Sequence, residues 1–325
     1  MRKQVILLAL TATAVWAQGR TLFRSPAVSK THIVFAYAGD LWSVPRSGGE
    51  AARLTSAPGT ETSPVFSPDG SMVAFTGQYD GNTDIYVVPA SGGVPKRLTY
   101  HPGPDLVHGW TPDGKRIVYT NPFSSHNNVP KLYTVDLNAG FPQEVALPTA
   151  TMGAFSPDAK QIVYSPVLRA NQIWKNYRGG RATPLWIANL ADASLVKIPR
   201  TDSNDHSPMW IGSKIFFLSD RMGRDTLYEY DTATKKVTQL FDNKTLDIKS
   251  ATAGGDAIAY EQFGEIHLYD LKTRKSAKVN ISLNADLVNV RPRLEKTARM
   301  LRNFKISPTG ARALAAARGD IYTIP

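Results

Sequence analysis

The chain has 325 residues, of which 42% are hydrophobic and 20% are charged, and its formal net charge is +11. This composition is typical of a folded protein and excludes a disordered or collagen-like chain. The sequence contains no cysteine, which excludes disulfides, thiol catalysis and thiolate metal sites.

The first 17 residues have the pattern of a secretory signal peptide. Arg2 and Lys3 form a basic start, an apolar stretch runs from Val5 to Val15, and Ala17 supplies a small residue at the predicted cleavage point. The apolar stretch is shorter than the roughly 20 residues that a membrane-spanning helix needs. We therefore predict that residues 1–17 are removed and that the mature protein is exported to the periplasm, with no membrane association afterwards.

One unit recurs along the rest of the chain. It consists of a short strand ending in Ser-Pro-Asp-Gly or a variant, an apolar strand, a polar loop, a strand of the type Asp-Ile-Tyr-Val-Val-Pro, and a Gly-Gly turn followed by Arg-Leu-Thr. An aliphatic residue of the third strand recurs at intervals of 39 to 53 residues, which is the period of four-stranded propeller blades. This residue is Leu41, Ile85, Leu132, Leu185, Leu227 and Ile266 in the six copies.

The residue types in each copy favour strands and tight turns. Proline presets φ in the turn, and glycine takes the position that requires positive φ. β-Branched and aromatic runs suit strands that are buried on both faces, and no segment after the signal peptide has a helical period. We therefore predict an all-β fold, a six-bladed β-propeller of four-stranded antiparallel blades over residues 18–282.

A basic segment and a further partial repeat follow the six copies. Residues 283–302 are predicted to be a linker, and residues 291–318 carry eight basic side chains against one acid. A nucleic-acid-binding surface spreads basic and aromatic residues over a face, so we interpret this confined run as a solvated linker and expect no nucleic-acid partner. From residue 303 the first strands of a blade begin again. Residues 303–325 either start a second propeller, which we favour, or close the first ring.

The sequence has no catalytic or metal-binding pattern. It lacks a Gly-x-Ser-x-Gly nucleophile elbow, and its six histidines are isolated. The stretch Asp80–Asp84 alternates oxygen-bearing side chains but lacks the Gly and Glu that complete a calcium loop, so a turn is the preferred interpretation. We expect no catalytic residue, no metal and no cofactor. A propeller lyase or glycosidase is disfavoured because clustered acids are absent.

The repeats resemble those of the tricorn-type protease family more closely than those of the general TolB-type propellers. The resemblance covers essentially the whole chain after the signal peptide. Beyond the repeat itself, it is carried by Trp174–Gly180, Pro208–Trp210, Phe217–Arg221, Val290–Arg293 and the tail from Ile306 to Pro325.

The resemblance implies a domain order of a six-bladed propeller, a seven-bladed propeller, and a serine protease core with a PDZ-like domain. In this family the propellers are implicated in gating passage and holding peptide substrates. The sequence ends about half a blade into the part similar to the second propeller, so no catalytic residue is carried over.

The expected function is therefore that of a non-catalytic propeller part of a serine protease. Its expected partners are peptides, protease core domains or a second copy of the chain. A stand-alone exported TolB-type protein-binding propeller is the alternative, which the lack of an α/β domain before the first blade disfavours.

One loop and one histidine are the candidates for peptide binding. The loop has two glycines that let a ligand approach the backbone and two arginines that can bind carboxylates with both guanidinium edges. A tight turn with both arginines on the surface is an equal alternative. The candidate residues are Tyr177, Arg178, Gly179, Gly180, Arg181 and, in the outer loop of the third predicted blade, His126.

Overall fold

The computed structural model describes residues 22–122, 129–168, 176–285, 287, 290, 294 and 296–325. The predicted signal peptide and His126 lie outside the described residues, as do Trp174 and Lys175 and most of Val290–Arg293. The chain forms two compact units, Met1–Asn284 and Ala285–Pro325.

The described secondary structure consists of strands, apart from one short 3-10 helix at Ala298–Met300. The predicted all-β class is thereby confirmed. No described helix has the length and apolar character needed to cross a membrane.

The described residues of the first unit form six sheets, each built from four consecutive antiparallel strands. Sheet I consists of β1 (Arg24–Val28), β2 (His32–Tyr37), β3 (Asp40–Pro45) and β4 (Gly49–Arg53), and sheet II of β5 (Thr60–Phe66), β6 (Met72–Tyr79), β7 (Asn82–Pro89) and β8 (Lys96–Arg97). Sheet III consists of β9 (Leu106–Trp110), β10 (Arg116–Asn121), β11 (Lys131–Asp136) and β12 (Gln143–Glu144), and sheet IV of β13 (Met152–Phe155), β14 (Gln161–Ser165), β15 (Trp186–Asn189) and β16 (Leu195–Lys197). Sheet V consists of β17 (Asp205–Ile211), β18 (Lys214–Ser219), β19 (Thr226–Asp231) and β20 (Val237–Gln239), and sheet VI of β21 (Ile248–Gly254), β22 (Ala257–Gln262), β23 (Glu265–Asp270) and β24 (Lys275–Lys278).

The first strands of these sheets contact one another in cyclic order. β1 contacts β5, and the series continues through β9, β13 and β17 to β21, which contacts β1 again. The first strand of every sheet therefore faces the centre of the unit, and the fourth strand lies at the outside. This is the arrangement of a β-propeller.

The hydrophobic core lies between neighbouring sheets. Between sheets I and II, Val34 and Leu41 pack with Phe75 and Val88, and all four side chains are buried. Equivalent clusters join each following pair of sheets up to sheets V and VI. Burying a large aliphatic or aromatic side chain stabilises a fold by about 1.5–3 kcal/mol, so the interfaces between sheets supply the main stabilisation.

One further strand, β25 (Ile281–Leu283), attaches the end of the first unit to its beginning. It pairs in parallel with β4, with Ile281 opposite Gly49. Gly49 donates its N–H to the Asn280 carbonyl at 2.9 Å. Leu283, the first residue of the predicted linker, is thus the last residue of a strand that covers the outer edge of sheet I.

The second unit contains a three-stranded antiparallel sheet formed by β26 (Arg302–Ile306), β27 (Ala313–Ala317) and β28 (Asp320–Ile324). Its first turn repeats that of sheet II, because Gly310 donates to the Ser307 carbonyl at 2.9 Å as Gly70 does to the Ser67 carbonyl at 2.8 Å. The second unit therefore has the local geometry of the first three strands of a blade.

Candidate functional site

The first strands of the six sheets line a cavity of about 760 Å³. This volume lies within the roughly 300–1,000 Å³ of typical ligand sites. Every sheet contributes neighbouring residues of its first strand and of the turn that follows it. Because the sheets repeat the same register, the contributed side chains form successive levels along the cavity.

Four aromatic side chains lie at one level of the cavity, which we call the aromatic collar. Each of the four residues lies opposite the first fully buried aliphatic residue of the second strand of its own sheet. The four therefore occupy corresponding positions in their sheets. All four are half-buried. Sheets I and VI place small side chains at this level, Val28 and Ala253. The aromatic collar consists of Phe66, Trp110, Phe155 and Trp210.

The indole N–H groups of the collar are used within the fold. Trp110 Nε1 donates to the Val65 carbonyl at 3.1 Å, and Trp210 Nε1 donates to the Gly212 carbonyl at 3.1 Å. A satisfied indole N–H leaves the ring surface as the part of tryptophan that remains for a ligand. The collar therefore presents apolar aromatic surface to the cavity.

A second level lies three residues earlier in each first strand and is rich in serine. Ser25, Ser63 and Ser207 have φ values of 48°, 51° and 52°, and each precedes a proline in a β-bulge. Left-handed backbone at a non-glycine residue costs about 1–3 kcal/mol, and a bulge redirects side chains. Together with Ser250 these residues form the serine ring, whose four side chains are half-buried and line the cavity.

Among the residues that the structure describes, the cavity lining between these two levels includes no Lys, Arg, Asp or Glu side chain. The titratable side chains that line the cavity are Lys30, Asp69 and His108. Lys30 and Asp69 are exposed on the turns at the rim. Burial lowers the pKa of His108 to about 4, so its imidazole is neutral at pH 7. Its Nε2 lies 2.8 Å from Thr120 Oγ1.

The predicted binding loop lies elsewhere, between β14 and β15 of sheet IV. Arg178 Nη1 donates to Asp220 Oδ2 at 2.8 Å, and Nη2 donates to the Asp220 carbonyl at 3.2 Å. Burial raises the pKa of Asp220, but hydrogen bonds from Arg178 and Asn204 outweigh burial and lower this pKa overall. Arg178 thus binds a carboxylate of its own chain and joins sheet IV to sheet V.

The other loop candidates are placed as follows. The Tyr177 hydroxyl lies where a Cβ on Gly179 would stand, whereas Gly180 has open space at that position. Arg181 donates from Nε and Nη2 to the Leu168 carbonyl, each at 3.3 Å. None of these residues lines the cavity. Peptide binding by this loop stays a prediction, and His126 lies outside the described residues.

Two buried carboxyls lie where sheets II and III meet, and there the Asp105 N–H donates to the Thr83 carbonyl at 2.9 Å. Asp84 and Asp105 are fully buried. Arg97 Nη2 lies 2.6 Å from Asp84 Oδ2, and Asn121 Nδ2 donates to Asp105 Oδ1 at 2.5 Å. Burial raises the pKa of both carboxyls. In the part of the chain that the structure describes, no group of three or more His, Asp or Glu side chains could hold a metal ion.

A cyclic set of antiparallel sheets around a cavity lined by their first strands defines the protein as a β-propeller with a central cavity. The chain belongs to the family of the tricorn protease N-terminal β-propeller domain, which matches residues 20–275. The family predicted from the sequence is thereby confirmed.

Two relatives illustrate the extent of the match. The chain is 28% identical over 295 residues to tricorn protease homolog 1 of Streptomyces coelicolor, covering 90% of this chain and 28% of that protein. It is 26% identical over 309 residues to a tricorn protease homolog of Saccharolobus solfataricus, covering 93% and 28%. The chain thus spans less than a third of the length of these relatives.

Solved structures show the same fold. The crystal structure of the tricorn protease aligns with a TM-score of 0.71 and 22% identity, covering 94% of this chain and 30% of that one. TolB from Acinetobacter baumannii aligns with a TM-score of 0.57 and 21% identity, covering 72% and 58%. The propeller fold is therefore common to tricorn and TolB structures.

Proposed function

We propose that this chain is the non-catalytic propeller part of a tricorn-like serine protease and that it binds or gates peptides for a protease core. The six sheets are the blades of a six-bladed propeller in this proposal. The observation that carries the proposal is the cavity of about 760 Å³ lined by the first strand of every sheet. A ligand in this cavity contacts the first strands of all six sheets, so its binding involves the whole ring.

The family and the sequence support the assignment of roles. The relatives are named as tricorn protease homologs, and this chain matches 28% of each. We assign peptide hydrolysis to a protease core outside these residues, because the sequence supplies no nucleophile with an activating base. The predicted signal peptide supports export to the periplasm as the place where this happens.

The second unit supports a second propeller. Its first strand has a bulge between Arg302 and Lys305, with Asn303 at φ 55°. The same bulge lies between Thr62 and Val65 in sheet II. A segment that closed the first ring would pair with sheet I, whose outer edge β25 occupies. We therefore interpret residues 303–325 as the first strands of a second propeller.

Tryptophan fluorescence tests peptide binding by the cavity. Titrating the chain that begins at Gln18 with a mixture of short peptides should change its emission, because Trp110 and Trp210 line the cavity. A Trp110→Phe and Trp210→Phe double variant should lose the change. Trp186→Phe is the control and should keep it, because Trp186 lies in β15 outside the cavity. Unchanged emission together with no heat of binding would contradict the proposal, and the peptides should remain intact throughout.

A further inference from the structure

We propose that the central cavity selects uncharged, apolar peptide segments over charged side chains and free peptide ends. This inference rests on the proposed peptide-binding function and specifies its substrate class. It assigns selection to the aromatic collar and the serine ring. It gives no part in selection to Arg178 and Arg181.

The collar determines which side chains the cavity accepts. Four half-buried aromatic rings from four consecutive sheets stand at one level, and the two indole N–H groups among them are bonded to backbone carbonyls. What they offer a ligand is ring surface, which gains free energy by covering apolar or aromatic groups. Proline, leucine and phenylalanine side chains fit this surface.

The absence of charge on the wall determines which side chains the cavity rejects. A carboxylate or ammonium that leaves water without a partner incurs a large desolvation cost. Between the collar and the serine ring, His108 is the one titratable side chain among the described residues that line the cavity, and it is neutral at pH 7 because of its low pKa. Lys30 and Asp69 lie on the exposed turns that follow the first strands, outside the segment between the collar and the serine ring.

The serine ring matches a peptide backbone. A hydroxyl both donates and accepts hydrogen bonds without carrying charge, and a peptide backbone needs both kinds of partner. Within the fold, Ser250 Oγ donates to Glu261 Oε2 at 3.2 Å and Ser207 Oγ lies 3.1 Å from His206 Nδ1, so these two hydroxyls offer a peptide their remaining hydrogen-bonding capacity. The ring lies three residues from the collar along each first strand, which is at most about 10 Å at a strand rise of about 3.3 Å per residue and less where a β-bulge intervenes. An extended segment of about three residues therefore spans both levels, with an apolar side chain at the collar and amide groups at the serines.

Four matched peptides test this selectivity on the chain that begins at Gln18, by calorimetry at pH 7. The reference peptide is acetyl-Ala-Pro-Phe-Pro-Ala-amide. Two others replace its phenylalanine by glutamate or lysine, and the fourth keeps phenylalanine but has a free carboxylate and a free amine. We expect the reference peptide to bind at least about tenfold more tightly than each of the other three, because a difference of that size needs only about 1.4 kcal/mol.

Variants locate the selection. Phe155→Ala and Trp210→Ala should each weaken binding of the reference peptide about tenfold, since an aromatic anchor in a pocket commonly contributes 1 kcal/mol or more. Phe155→Leu keeps most of the bulk and serves as the second variant if either alanine variant lowers the thermal midpoint strongly. Trp186→Ala, outside the cavity, and Arg178→Ala should leave the order of the four peptides unchanged.

The outcomes separate this inference from the function on which it rests. Tighter binding of the glutamate or free-ended peptide, or equal binding of all four, would overturn the selectivity and leave peptide binding intact. Loss of selectivity in Arg178→Ala alone would assign selection to the loop and also overturn the inference. If none of the four peptides binds, both the inference and the proposed function are wrong.

Discussion

Arg178 illustrates how a single residue type supports two interpretations. From the sequence, a guanidinium beside two glycines predicts a carboxylate ligand. The structure provides that carboxylate from Asp220, 42 residues away in the next sheet. Sequence spacing cannot reveal such a partner, because the loop of one sheet and the strand end of the next are brought together by the closed ring.

Replacing Arg178 by alanine should destabilise the fold at neutral pH. We expect a loss of about 1.5 kcal/mol, at the lower end for hydrogen bonds to charged groups because the arginine is partly solvated. The native pKa of Asp220 lies below its ordinary value of 3.8, so this stabilisation is present above that pH and is lost as the pH falls through the native pKa. Urea unfolding of Arg178→Ala at pH 7 and pH 3 measures it.

Arg181→Ala is the matched control for that measurement. Arg181 donates to the Leu168 backbone carbonyl, which carries no formal charge. Its loss should cost clearly less at pH 7 and should show less dependence on pH. Equal losses in the two variants would contradict the role of Arg178 as a bond between sheets.

Asp105 should give the opposite dependence on pH. Burial raises the pKa of Asp105 in the native state. As the pH increases, the unfolded chain therefore releases this proton at a lower pH than the native protein does. Native stability is therefore highest below the unfolded pKa and falls as the pH rises through the native value. The Asp105→Asn variant has no proton to lose at this position and so does not lose stability in this way. The thermal midpoint of the variant minus that of the parent should therefore increase as the pH rises from 3 to 7.

Asp69→Asn provides the comparison of opposite sign. Hydrogen bonds from Ser67 and Ser71 lower the pKa of Asp69 to about 2. The native turn thus favours the ionised form of Asp69. The thermal midpoint of Asp69→Asn should therefore fall below that of the parent as the pH rises from 2 to 7. A midpoint difference for Asp105→Asn that does not change with pH would contradict the effect of burial on Asp105.

The strands were predictable because each carries its own local signal. The Ser-Pro-Asp-Gly turn or a close variant recurs in sheets II, III and IV and in the second unit, apolar runs recur in every copy, and each strand pairs with a neighbour in sequence. β25 has no such signal, since its three residues lie outside the repeat and pair in parallel with β4, more than 200 residues earlier. The collar was also missed, although its members precede the first turn of their sheets, because a strand pattern does not show which positions face the centre.

Substitutions at two glycines in corresponding turns test whether β25 is bound to the edge of sheet I. Gly48 and Gly92 have φ values of 88° and 93°. A Cβ on Gly48 would lie 2.5 Å from the Asn280 carbonyl oxygen, whereas one on Gly92 would meet no atom within 4 Å. Alanine at either position incurs the cost of left-handed backbone, about 1–2 kcal/mol. We expect Gly48→Ala to cost a further 1–3 kcal/mol, roughly, because it also displaces β25.

Chemical unfolding of the two alanine variants measures this difference. The comparison cancels the backbone strain and leaves the contact with Asn280. If Gly48→Ala and Gly92→Ala lose the same free energy of unfolding, β25 is not held on the edge of sheet I.

The second unit should exchange its amide hydrogens faster than the blades. Every residue of β26 and β28 is exposed, whereas β6 is buried over most of its length. Strands with little buried apolar surface open locally at low free energy. Hydrogen exchange should therefore be much faster at Arg302–Ile324 than at Met72–Tyr79. Comparable protection of the two segments would contradict the exposure of the second unit.

At the scale of the whole molecule, a repeat of about 43 residues predicted the class of fold because every copy specifies the same sheet. The cavity is a property of the closed ring and of no single copy. Its chemistry depends on which side chain each sheet places at one level, and the copies differ there. The family is confirmed over residues 20–275, and the cavity is the place where we propose that this chain binds peptides.

Photo-cross-linking tests most directly whether peptides bind in the central cavity. A blocked peptide with benzoyl-phenylalanine at its centre is irradiated with the chain, and the modified residues are mapped by mass spectrometry. We expect adducts on the first strands, above all at Phe66, Trp110, Phe155 and Trp210, and an excess of unlabelled peptide should suppress them. Suppressible adducts on residues 176–181 or on the outer strands, with none in the cavity, would contradict it.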